Sequence, residues 1–439
     1  MSTMINLQQI EAAFVDDTIK GMPGGMTPVR LGDIGIQGWN LLREDLPLPL
    51  AVLHDSALRH NGDWMRRFLA GSGARISPHG KTTMSPQLFS QQVNDGAWAI
   101  TLGSVQQLQV ARHFGFERVV LANQLVGARS IRFVVDEIAR DPAFDFYSFV
   151  DSVASVQRLA EAAGSARLER PLQLIVEGGF TGGRTGCRTF DEAMAVTRAI
   201  KRNAPYLSLR GVGGYEGLLQ SDDAETTETR VNEFLDYLVD IAIACEREDC
   251  FGSGQVLLTA GGSSFYDLVA ARFADARISR DHMVLTRSGC YLTHDSGSYL
   301  ERFARVRHRT PSVDNLGSGP TAALEVWAYV QSRPEPRKAL LTVGKRDISY
   351  DSRLPQPLKW LRPSPRAKAA DIEAIPAGHV VTALNDQHCH LSIPEDSPLA
   401  VGDMVAFGIS HPCTTFDKWQ LICVVNDDYD IVSAVRTYF

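Results

Sequence analysis

Ile76-Ser77-Pro78-His79-Gly80-Lys81-Thr82-Thr83-Met84 sets one lysine directly after a Pro-His-Gly turn, with an apolar residue before the turn and a helix-forming run after it. The pattern predicts the mouth of a βα unit. A lysine held there can form an imine with an aldehyde, because partial burial or a cationic neighbour makes its amine nucleophilic. Lys81 is therefore the candidate catalytic residue. A solvated lysine at a helix start reads the same from nine residues alone, so the surrounding chain has to decide.

Outward from this segment, strand-like runs alternate with amphipathic helical segments from about residue 50 to about 310. Ala51-Val52-Leu53 reads as a first strand. Strands are also expected at 97–101, 118–122, 146–150, 172–176, 207–212 and 256–259, with helices at 105–114, 128–140, 153–163, 190–202 and 226–245. Around eight strands is enough to close a (β/α)8 TIM-type barrel. The expected division is a barrel over 51–310, a C-terminal β-domain over 311–439, and an N-terminal extension over 1–50 that packs on the β-domain. Pro355 to Pro365 reads as a surface loop or an interdomain linker.

Composition narrows the class. The 439 residues are 44% apolar and 22% charged with a net charge of -7, the profile of a soluble globular protein with a sizeable core. No basic stripe is present, which argues against a nucleic-acid partner. The N-terminus lacks a signal-peptide pattern and no run of 18 apolar residues occurs, so no membrane partner and a cytoplasmic location are expected. Seven cysteines are odd in number and too sparse for a disulfide framework.

Barrels carry their chemistry where strands end. Here those places are glycine-dense: Glu177 to Gly186 with Arg184 in it, Gly213-Gly214-Tyr215-Glu216-Gly217, and Thr259-Ala260-Gly261-Gly262-Ser263-Ser264. Successive backbone N–H groups at such turns make an anion nest, and late βα-loops often hold phosphate. Taken singly, each is also the sequence of a flexible loop.

In their order these segments resemble the alanine-racemase-like fold-type III pyridoxal-phosphate enzymes, in the D-serine dehydratase and D-threonine aldolase branch. The resemblance runs nearly the whole chain. It rests on Pro78-His79-Gly80-Lys81-Thr82, Arg184-Thr185-Gly186, Tyr215-Glu216-Gly217, Gly261-Gly262-Ser263, the strand-like Arg287-Ser288-Gly289-Cys290-Tyr291 through Asp295, and His411-Pro412-Cys413. It implies a Schiff base between pyridoxal 5'-phosphate and Lys81, a contact from Arg184 to the pyridine nitrogen, Tyr215 against the cofactor, and phosphate on Thr259, Gly261, Gly262 and Ser263. It also implies a homodimer that shares its active site.

His411 and Cys413 carry a metal hypothesis. On an extended segment, residues two apart point to one side, and an imidazole with a thiolate suits zinc. A core cysteine near a surface histidine is the bland alternative. Upstream, Asn385-Asp386-Gln387-His388-Cys389-His390 keeps the family's histidine at His388, which can orient a substrate group or a ligand. Cys389 stands where the family has glycine, and Asp386-Gln387 replaces its acidic pair; His390 reads as a strand histidine or an extra ligand. His-x-Cys points to β-elimination from a D-β-hydroxy amino acid such as D-serine, whereas the aldolase branch tends to carry His-x-Asp. Retro-aldol cleavage is the alternative. A racemase would need a second acid/base group, for which Tyr291 and Tyr350 are unassigned candidates.

Overall fold

Eight short apolar runs form one parallel sheet in the computed structural model, which describes residues 5–439. Their order around the sheet is Arg75–Ile76, His282–Thr286, Val256–Ala260, Leu207–Gly213, Leu172–Glu177, Asp145–Val150, Arg118–Gln124 and Ile100–Leu102. The two ends meet. His79 bridges Thr101 in parallel fashion, Trp98 N–H donates to the Ile76 carbonyl at 2.8 Å, and Thr101 N–H to the Pro78 carbonyl at 2.9 Å. A closed ring leaves no sheet edge exposed. Its interior is filled by Ala99, Val120, Tyr147, Phe149, Ile175, Leu257 and Leu285, so it is a packed core rather than a pore.

Four of the helices between these strands start on side-chain caps. Ser104, Ser152 and Asp223 each accept a backbone N–H from the first turn, and Thr189 with Glu192 makes a reciprocal capping box. Each cap satisfies donors that a helix start leaves unpaired. Two helices, Ala128–Arg140 and Phe190–Arg202, have the bounds their sequence periodicity predicts.

The chain divides into two compact units. One comprises Arg66–Lys81 and Gln92–Gly289 and holds the barrel. The other comprises Asn6–Met65, Thr82–Gln91 and Cys290–Phe439 and holds an antiparallel sheet. At its centre Leu324–Glu335 pairs with Leu50–His54, Lys338–Leu341 and Met404–Gly408. Asn40, in the N-terminal segment, donates to the Asp428 carbonyl and the Asp430 carboxylate, both at 2.9 Å.

Three expectations need correction. Ala51-Val52-Leu53 is not the first barrel strand: it lies antiparallel to Leu324–Val326, and the barrel begins at Arg75–Ile76. An apolar run buried on both faces does not reveal which sheet it joins. Gln356–Leu361, inside the proline-rich piece, is a strand rather than a loop or linker. Its ladder shifts register between Pro357 and Lys359, which is where a residue without an N–H is tolerated. The segment from Arg287 to Asp295 is not a strand either; the strand ends at Thr286 and residues 290–293 turn. Among the described residues no helix is long and apolar enough to cross a membrane.

One buried carboxylate ties the second unit together. Glu325 lies 2.7 Å from Lys359 Nζ and 3.0 Å from His54 Nε2, and accepts hydrogen bonds from Tyr429 Oη at 3.1 Å and Trp327 Nε1 at 3.2 Å. Burial raises its pKa, but these partners outweigh burial and hold the carboxyl at about 2. A depressed folded value means that its stabilisation is present above the ordinary glutamate range and is lost as pH falls toward 2. Wild type should therefore lose roughly 3 kcal/mol more than Glu325→Gln between pH 6 and pH 2. Urea titrations at the two pH values check this, and equal losses would refute it.

Candidate active site

In the barrel unit, Lys81 sits in the single 3-10 turn Gly80–Thr82 just past Arg75–Ile76, at the C-terminal end of that strand, with its side chain exposed. The segment before it is clamped on both sides. Ser77 N–H donates to the Thr286 carbonyl at 2.8 Å, and Ser77 Oγ and Thr101 Oγ1 lie 2.7 Å apart. His79 is half-buried, and its Nδ1 is buried without a hydrogen-bond partner. Burial first, and then the charges of Lys81, Arg287 and Arg184, hold its imidazole well below the ordinary histidine value, so the ring is neutral.

Arg287 is the buried cation of this rim. It donates to Thr259 Oγ1 at 2.6 Å and to the Gly214 carbonyl at 2.7 Å, and its guanidinium lies 5.1 Å from the Phe149 ring centroid. Arg184, by contrast, is exposed and covers the Tyr215 ring at 4.4 Å. Thr259 is buried and donates to the Leu285 carbonyl at 2.8 Å. Glu177 accepts from Gln124 and from Thr185, while burial raises its carboxyl above the usual range.

The phosphate turn holds an unexpected partner. The N–H groups of Gly261 and Gly262 both donate to the Glu216 carboxylate at 2.9 Å. Gly261 adopts φ +97°, open to glycine without strain. A Cβ on Gly262 would stand 3.1 Å from the Tyr215 ring, so the turn leaves Tyr215 little more room than a glycine gives. A phosphate arriving here would meet the half-buried Ser263 and would share or displace the Glu216 carboxylate. The exposed amine, the unpartnered His79 Nδ1, the buried guanidinium and the glycine cradle together fit an anionic aldehyde cofactor.

In the other unit, His411 and Cys413 are not on an extended segment. Pro412 is helical at φ -56°, ψ -43°, and Cys413–Phe416 is a helical turn. The two-residue alternation argument therefore fails. His411 Nδ1 lies 2.6 Å from Asp351 Oδ2, and Thr414 donates to Asp351 Oδ1 at 2.6 Å. Burial opposes them, yet these two bonds hold the Asp351 carboxyl below its ordinary value. A carboxylate on one imidazole nitrogen is the usual way of turning the other toward a metal. Cys413 Sγ lies 3.8 Å from Cys290 Sγ. Among the described residues no group of three or more His, Cys, Asp or Glu converges on one point, so the donors fit a metal held by few protein ligands.

His388 is exposed in the loop between Val380–Leu384 and Cys389–Ser392. Cys389 is a core residue, and His390 Nε2 bonds Asn385 at 2.6 Å within the same hairpin. Tyr291 is buried, whereas Tyr350 lines a cavity of about 920 Å³ with Lys20, Lys345, Asp386, Gln387 and Lys418. Neither His411 nor Cys413 lines that cavity. Sequence reading gave no role to Arg287, Glu216, Cys290 or Asp351. Arg287 carried a usable signal, since it directly follows the apolar strand His282–Thr286.

These features define a parallel barrel with an amine on its rim, joined in one chain to an antiparallel β-unit. Residues 323–425 match the model of the putative serine dehydratase domain. The chain is 23% identical to the 3-hydroxy-D-aspartate aldolase of Paracoccus denitrificans (strain Pd 1222), over 71% of this chain and 75% of that one. Its fold is that of the D-threonine aldolase from Filomicrobium marinum, at a TM-score of 0.72, 20% identity, and coverage of 94% and 98%. The D-threo-3-hydroxyaspartate dehydratase from Delftia sp. HT23 shares it at a TM-score of 0.68, 19% identity, and coverage of 91% and 99%. The resemblance drawn from the motifs is borne out, as is the barrel with a β-domain.

Removing Glu216 would strand two amides that are largely shut off from water, at about 1–3 kcal/mol each. Glu216→Ala should lose about 2–6 kcal/mol of stability, and inorganic phosphate should raise its melting temperature more than it raises that of wild type. Thermal scans with and without phosphate decide; equal shifts would mean that the turn takes no outside anion.

Proposed function

We propose that the chain is a pyridoxal-phosphate-dependent lyase that eliminates water from a D-configured β-hydroxy amino acid, the resulting enamine then taking up water and releasing ammonia to leave a 2-keto acid; D-serine is the simplest such substrate. The observation that carries this reading is the exposed Lys81 amine on a turn clamped to both neighbouring strands, with a buried guanidinium and a neutral imidazole in the same rim. The names of the relatives support the substrate class.

When bound, pyridoxal phosphate supplies the aldehyde that condenses with amines and the conjugated ring that takes up the electron pair left at the α-carbon. The chain's own residues do the rest. Lys81 Nζ, once free, takes the α-proton as general base. Tyr215, Thr259 and Ser263 bound the cradle, and Arg184 lies over the Tyr215 ring. Arg287, fixed by Thr259 and Gly214, disfavours any second cation near it. A divalent metal, zinc by its nitrogen and sulfur donors, would be held by His411 and Cys413 and would supply a Lewis acid for the β-hydroxyl. His388 is available to orient a substrate group or a ligand.

Retro-aldol cleavage to glycine and an aldehyde is the second reading, favoured by the aldolase names among the relatives. Cys413 in place of an aspartate favours elimination.

Reconstitution with pyridoxal phosphate should give a visible absorption band that Lys81→Ala lacks, and this variant should lose at least about 10³-fold in turnover. D-serine should yield pyruvate and ammonia. A colourless wild type would overturn the cofactor assignment, glycine plus an aldehyde would move the reaction to cleavage, and the L-enantiomer would move it to racemisation.

A further inference from the structure

Cys290 has no part in the reading above, yet its surroundings are not those of a core cysteine. It is 5% exposed, in the turn over residues 290–293, and its Sγ lies 3.8 Å from Cys413 Sγ. Both residues belong to the unit that holds the antiparallel sheet. Thr82 Oγ1, of the same unit, stands 3.6 Å from each sulfur and accepts a hydrogen bond from Cys413 Sγ, while the Tyr299 hydroxyl bonds Cys290. A buried structural cysteine normally packs as a small apolar group. Here two hydroxyls hold two thiols against each other.

The two sulfurs differ in access. Of the seven cysteines, Cys413 alone is not buried. Burial pushes the thiols of Cys187, Cys245, Cys389 and Cys423 up to about 12, which keeps them protonated and unreactive. An oxidant therefore meets Cys413 first, with Cys290 in contact behind it. We infer that Cys413 and Cys290 form an oxidisable dithiol, in which Cys413 reacts with a hydroperoxide and Cys290 resolves the product to a disulfide. In the first step the Cys413 sulfur attacks hydrogen peroxide: the O–O bond breaks, an S–O bond forms, and one water leaves with the thiol proton. In the second, Cys290 Sγ attacks that sulfur, the S–S bond forms, the S–O bond breaks, and a second water leaves with the other thiol proton. Two thiols give up two electrons and the peroxide is reduced by them. Closing the sulfurs from 3.8 Å to a bonded length of about 2.0 Å asks for a side-chain movement rather than a refolding. A bridged Cys413 has no thiolate to offer a metal, so the same event switches off the chemistry assigned to it.

The effect on turnover rests on the proposed role of Cys413 as a metal ligand, and the test keeps the two apart. The purified full chain, with a chelator present so that no metal shields Cys413, is treated with hydrogen peroxide, digested and mapped by mass spectrometry. A peptide pair joined between Cys290 and Cys413 is expected, and the denatured protein should titrate seven free thiols before treatment and five after it, the bridge having taken two. Dithiothreitol should restore all seven. With pyridoxal phosphate and zinc returned, turnover of D-serine should be lost in the bridged chain and recovered on reduction. In Cys290→Ser the same treatment should carry Cys413 on to a sulfinic acid, so that dithiothreitol recovers nothing. Seven thiols after treatment, a bridge to any other cysteine, or a wild-type Cys413 taken to sulfinic acid without a bridge overturns the inference, and none of these readouts needs a variant. A Cys290–Cys413 bridge with turnover unchanged supports the dithiol and refutes the metal role of Cys413 instead.

Discussion

Closure of the barrel at residues 76–79 is the constraint on which the rest depends. The strand Arg75–Ile76 is only two residues long and cannot hold a ring shut by its ladder alone. The closure is completed beyond it, by the bond from Thr101 N–H to the Pro78 carbonyl and by the Ser77 and Thr101 hydroxyls, with Thr101 Oγ1 also donating to the Ser77 carbonyl at 2.7 Å. Proline suits the position, because Pro78 accepts through its carbonyl and has no N–H to leave unpaired in a buried place. The turn that carries Lys81 follows at once. An amine on a loose loop would have to be ordered by its reaction partner, whereas here its backbone is ordered by the fold.

The charges of the barrel rim follow from the same economy of space. Arg287 is buried and is answered by two carboxylates, Glu177 and Glu216, of which Glu177 is pushed up by its own burial. A single buried cation with two acidic neighbours would leave excess negative charge. The hydrogen bonds spread that charge: Glu216 leans on two backbone amides and Glu177 on Gln124 and Thr185. An anion nest filled by the protein's own carboxylate is ordered in advance. A phosphate brings more charge than a carboxylate and must compete with a group already tethered there.

What the sequence disclosed depended on where information was local. The helices at 128–140 and 190–202 carry their own periodicity and a following or preceding cap, so their limits were legible. The strand at 50–54 was legible as a strand but not as part of the antiparallel sheet, since its partners Leu324 to Trp327 lie some 270 residues away and every residue of its core is apolar. The glycine turns were legible as turns. Their occupancy was not, because Glu216 reads equally well as a surface acid, and only folding brings it to Gly261 and Gly262. The Lys81 segment declared itself because proline, glycine and a cation in sequence restrict the backbone locally.

The His411-Pro412-Cys413 segment shows the opposite case. Spacing of two is informative only when the backbone is extended, and Pro412 at φ -56° was compatible with a helix from the start. What organises the segment is Asp351, 60 residues upstream, whose two oxygens take His411 Nδ1 and the Thr414 hydroxyl separately. One carboxylate thus fixes the residues on either side of Cys413 in a single short turn. With Nδ1 engaged, the imidazole has only Nε2 left for any other partner, and the tautomer that presents a lone pair there is the one a carboxylate on Nδ1 favours. Orientation of the ligand is then a property of Asp351 as much as of the histidine, and a search for metal-binding spacing in the sequence has no means of including it.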